Sequence, residues 1–162
     1  MRPILLALAF ALLAWATPVS AAFECAAGAP YSALRADFER EFEAIRAADG
    51  LRQDEHRRAL DGMIAEIDAK RGWGEAGKVE FLTTLMQSPE FLEQEAVKRD
   101  LAQRVSVALD AMERGEGDAC AHARETLSLF VQGLDANEKQ WSHMRRTIGA
   151  KVDAKTDAAA PR

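Results

Sequence analysis

Between Pro30 and Pro161 the chain contains a single proline, Pro89. Proline inside a helix removes a hydrogen bond and clashes with the preceding turn, at a cost of about 3 kcal/mol. So long a stretch with one exception leaves the chain free to build long helices. The spacing of apolar residues says that it does so, because they return at intervals of three and four, the period of one helix face.

Tyr31, Leu34, Phe38, Phe42 and Ile45 form the first such stripe, with Glu39, Arg40 and Glu43 beside it. "ADG" follows, and Gly50 stands where a C-terminal glycine would end the helix. A second helix is predicted from about Leu51 to Arg71, with Leu60, Met63, Ile64 and Ile67 inward and a polar first half, "RQDEHRR". Its internal Gly62 lowers helix propensity by about 1 kcal/mol, so this helix relies on packing.

A third, short helix is predicted from about Glu75 to Gln87 on Val79, Leu82, Leu85 and Met86, with Phe81 beside them. "QSPEF" then supplies a start signal: Ser88 as N-cap, Pro89 at the first helical position, and Glu90 at the positive end of the helix dipole. The fourth runs to about Arg114 and is stopped by Gly115. Asp118 caps the fifth, which runs from Ala119 to about Val152 with a near-heptad seam that Asn137 interrupts. No stretch alternates with period two, and neither Asp-Gly pair lies between strand-like runs. The fold expected is all-α, an antiparallel bundle of about five helices with short connections.

The first residues, "MRPILLALAFALLAWATPVSA", combine a basic start at Arg2, an apolar run from Ile4 to Ala16 and a small-x-small site ending at Ala21. That is the pattern of a secretory signal peptide. We therefore expect residues 1–21 to be removed and a periplasmic or secreted location. A single helical domain over 22–149 and a disordered tail over 150–162 would remain. One of the 21 basic residues and none of the 26 acidic ones fall in the leader, so cleavage moves the formal charge from -5 to -6. Such a surface does not attract nucleic acid over long range. No membrane span is expected after cleavage.

In an oxidising compartment, Cys25 and Cys120 are expected to pair and tie the N-terminal segment to the last helix. If each connection reverses the chain, five helices place both cysteines at one end of the bundle. They place the turn around Trp73 at that end as well.

"RGWGEAGK", Arg71 to Lys78, satisfies Gly-x-Gly-x-x-Gly-Lys. A phosphate-binding loop also requires a strand before it and Ser or Thr after the lysine. Here a helix precedes it, and Val79 occupies the hydroxyl position. The motif is read as a turn: Gly72 ends one helix and Gly74 lets the chain reverse. Trp73 inside it caps the core or, as the alternative, contacts a partner.

His56, His122 and His143 lie on separate stretches without the Glu-x-x-His spacing of bundle metal sites. Covalent haem is ruled out by the lack of Cys-x-x-Cys-His, and no Gly-x-Ser-x-Gly elbow is present. No cofactor or metal is expected. The functional expectation is a non-enzymatic exported accessory protein with a protein partner, such as a chaperone, inhibitor or immunity-type binder. The rivals are a carrier of an apolar ligand between its helices and, last, an enzyme with dispersed residues.

Overall fold

The computed structural model describes residues 23–153. The predicted signal peptide and the end of the predicted tail lie outside them. Within them the chain is four helices and no strand: α1 Tyr31–Arg71, α2 Gly74–Met86, α3 Pro89–Glu113 and α4 Ala119–Asp153. None is long and apolar enough to cross a membrane.

The all-α expectation holds, but the count is four rather than five. The first two predicted helices are one, 41 residues long, or about 60 Å at 1.5 Å per residue. Gly50 does not adopt the left-handed conformation that a helix-ending glycine uses; among the described residues positive φ occurs only at Gly28, Gly72, Gly74, Gly115 and Gly117. The Asp49 carboxylate accepts from Gln53 Nε2 at 2.5 Å across this point, so side chains bridge the turn that glycine weakens. At the far end α4 continues through Asp153, so the first residues assigned to the tail extend the helix.

Merging two helices changes the path. α1 runs the length of the molecule, α2 and α3 return in two steps, and α4 runs forward again beside α1 in the same direction. Two apolar cores result. At the start of α1, Phe23, Leu34, Phe38 and Ile45 pack with Met112 of α3 and with Ala123 and Leu127 of α4. At its end, Leu60 and Ile67 pack with Leu85 of α2 and Ile148 of α4. Val79 and Met86, predicted to face inward, are exposed instead, as are Leu92 and Val97 of α3.

The Cys25 and Cys120 sulfurs lie at disulfide distance, 1.91 Å, with the Cα atoms 5.7 Å apart. Arg124 Nε reinforces this end by donating to the Phe23 carbonyl at 2.9 Å. The predicted co-location of the cysteines survives because two reversals are lost, one where the first two predicted helices join and one where α2 and α3 run in the same sense. The position of Trp73 does not: it follows the end of α1, at the opposite end from the cysteines. There it is half-buried, its ring 5.0 Å from that of Phe81, on the second core.

The glycine motif is a turn. Gly72, at φ 63° and ψ 40°, donates its N–H to the Asp68 carbonyl and ends α1. Gly74 donates its N–H to Asp68 Oδ1 at 2.9 Å, and Lys78 lies 3.0 Å from Asp68 Oδ2. The lysine that suggested a phosphate partner is thus paired with Asp68 and Glu75. The Lys78 hydrogen bond and the Gly74 N–H hold the Asp68 carboxyl below its usual range.

Candidate functional site

Between the two cores, from Arg46 to Ala59, α1 carries one buried side chain, His56. Over this waist α1 and α3 both lie against α4, but they stand apart from one another. The space between them is a groove of about 880 Å³. Phe42, Ala47 and Gly50 belong to the α1 wall; Leu101, Ala102 and Val105 to the α3 wall; and Leu129, Phe130, Gly133, Leu134 and Asn137 to the α4 floor. Among the described residues no hydrogen bond or ion pair joins one wall to the other.

The groove exists because α1 changes character here. Its inward stripe is apolar up to Ile45 and again from Leu60, but between them it reads Asp49, Gln53 and His56. Polar side chains at those positions do not draw α3 inward. Gly50 and Gly133 widen the space, since a Cβ added at either would meet nothing within 4 Å.

Contacts with α4 flank the groove at both ends. At the lower end the Phe42 and Phe130 rings are 4.6 Å apart. At the upper end α3 is held to α4 by Gln140, which is 3% exposed. Its Nε2 donates to Glu95 Oε1 at 2.7 Å and to the Phe91 carbonyl at 3.1 Å, and its Oε1 accepts from Lys98 Nζ at 2.6 Å. Hydrogen bonds from Lys98 and Gln140 lower the Glu95 pKa. On the other side, His56 Nε2 lies 2.6 Å from Glu138 Oε2, its ring stacks on Trp141 at 5.4 Å, and Arg145 holds the second Glu138 oxygen at 3.2 Å.

The α1 rim is charged and paired along its own helix, Arg46 with Glu43 at 2.9 Å and Arg57 with Asp54 at 3.6 Å. In the floor, the Asn137 side chain makes no hydrogen bond among the described residues. The lining contains no hydroxyl, thiol or imidazole, and it offers apolar burial with a polar rim.

The histidines do not come together. His56 faces Glu138, His122 Nε2 lies 3.0 Å from the Glu116 carbonyl, and His143 Nε2 lies 3.0 Å from Ser88 Oγ. Ser88 Oγ also accepts from the Phe91 N–H as the α3 cap. No group of three or more potential metal-binding side chains converges among the described residues. A second cavity, about 590 Å³, lies beside Trp73, Phe81, Ser88 and His143.

Sequence reasoning selected Trp73 and the cysteines and missed the groove. Its lining is divided among three helices far apart in the chain. The interruption of the α4 seam by Asn137 was its one trace in the pattern. Compared with protein-family models, curated proteins and solved structures, the chain matches none.

Proposed function

We propose that this is a non-enzymatic, exported binding protein, of the chaperone, inhibitor or immunity type, that takes an amphipathic helical segment into the groove between α1 and α3. The groove itself carries the reading: a bundle missing a rod at its waist, with an apolar floor and charged edges. A helix laid there would bury its apolar face on Leu101, Val105, Phe130 and Leu134 and keep its polar face at the rim. The leader-like start of the chain and the paired cysteines support export.

A second reading, a carrier of an apolar small molecule, is favoured by the groove volume, which falls within the range of about 300–1,000 Å³ typical of ligand sites.

Gly133→Trp separates both from a purely structural role, because the indole would occupy the groove from its floor. The wild type should enhance the fluorescence of an apolar naphthylamine dye, and G133W should not. Equal dye uptake by the two proteins would place the apolar site elsewhere and remove the basis of the proposal.

A further inference from the structure

We propose that the helix the groove receives is α1 of a second copy of this chain, in a two-fold dimer with the two α1 helices antiparallel and crossing at Gly50. The inference rests on the reading of the groove as a helix-binding surface and names its occupant.

The order of charges on the groove-facing side of α1 suits such a pairing. In an antiparallel two-fold pairing centred on Gly50, residues equally distant from that glycine meet. Arg46 then faces the partner's Asp54, and Glu43 faces the partner's Arg57. Within one chain Glu43 is already beside Arg46, and Asp54 beside Arg57. Pairing therefore closes a ring of four charges of alternating sign, and symmetry makes a second ring on the other side of the crossing. Like charges at these positions would have opposed such an interface.

The apolar and bare positions agree with the charges. Leu51, beside the crossing, is 71% exposed, more than any other large apolar side chain exposed among the described residues. Gly50 is bare, with nothing within 4 Å of an added Cβ. Glycine in a helix interior costs about 1 kcal/mol relative to alanine, and neither a turn nor a close contact within the chain calls for it here. A second helix crossing at this point would use the space, with Leu51 of each copy turned toward the partner's groove. The four charged residues and Gly50 lie on successive turns of one helix face, so they can meet a single partner helix together.

Two half-reversals test the pairing without disturbing pairs inside the chain. E43R/R46E and D54R/R57E each keep their own neighbouring pair, but each sets like charges against like across the two-fold axis. Sedimentation velocity over a concentration series should show the wild type as a dimer and each variant alone weakened by at least about tenfold. An equimolar mixture of the two variants should dimerise again, because every facing pair in the mixed dimer is opposite in sign. A monomeric wild type at every concentration, or variants that self-associate as the wild type does, would overturn the inference. So would a mixture that stays monomeric. Dye uptake then fixes the fate of the groove reading separately. A monomeric wild type that takes up dye through a site blocked in G133W retains the groove as a binding surface with another occupant, whereas a monomer without uptake loses both.

Discussion

Replacing Gly50 and Gly62 by alanine should stabilise this protein. Both residues lie inside α1, neither has positive φ, and an added Cβ at either meets nothing within 4 Å. Alanine would therefore fit without strain while reducing the freedom of the unfolded chain. Each substitution is worth about 0.5–1 kcal/mol, so G50A/G62A should gain about 1–2 kcal/mol, or roughly 3–8 °C in melting temperature for a domain of this size. The assay is thermal unfolding followed by circular dichroism in dilute protein, where association does not contribute. Gly72→Ala is the opposing control: at φ 63° the left-handed backbone makes a Cβ costly, at about 1–2 kcal/mol, and the melting temperature should fall. A fall with G50A alone would mean that Gly50 ends a helix, and the continuous α1 would be refuted.

Three further outcomes follow from the same structure. C25S/C120S opens a link across a sequence separation of 95 and should destabilise by about 2–4 kcal/mol, seen as a lower urea midpoint than that of the oxidised wild type. Trp73→Ala should lower the melting temperature, because the ring packs on Phe81 and the second core; a half-buried tryptophan should cost less than the roughly 3–5 kcal/mol of a fully buried one. Glu95 has a folded pKa below its ordinary value of 4.5, owing to Lys98 and Gln140. Its stabilising contribution is therefore present above that pH and is lost as the pH falls through the lowered folded value. Urea unfolding between pH 6 and 3 should show a shallower acid loss in E95Q than in the wild type, and parallel curves would remove Glu95 from the α3–α4 link.

The class of fold was legible because it depends on local pattern. Periodicity gave the helical segments, Ser88-Pro89-Glu90 marked the start of α3, and the glycines around Trp73 marked the turn that Asp68 secures. Gly50 misled because "ADG" resembles a helix end, whereas a C-terminal glycine needs a left-handed backbone that this position does not adopt. The corrective signal was phase: His56 follows Ile45 by about three turns on the same face, so the inward stripe crosses Gly50 unbroken. That one junction also fixed the end of the molecule on which Trp73 falls.

The groove was hidden for a different reason. It arises where the inward side of α1 turns polar, and that polarity reads in sequence as a solvated helix face. His56 belongs to the polar stretch "RQDEHRR", yet it is 8% exposed, covered by the Trp141 ring and paired with Glu138. Glu138 and Trp141 lie far along the chain on α4, so no local spacing connects them to it. Gln140 escaped notice for the same reason, since its partners Phe91, Glu95 and Lys98 belong to α3.

The central claim is that association occurs through the waist of the bundle. Hydrogen–deuterium exchange at two protein concentrations, one below and one above the association midpoint, tests it most directly. In dilute protein, residues 46–57 of α1 should exchange faster than either flank, because little packing covers them. On concentration, exchange should slow across residues 42–57 and 101–105 and stay unchanged in the two cores. Exchange at the waist that does not respond to concentration, or protection that appears first at another surface, would contradict the account.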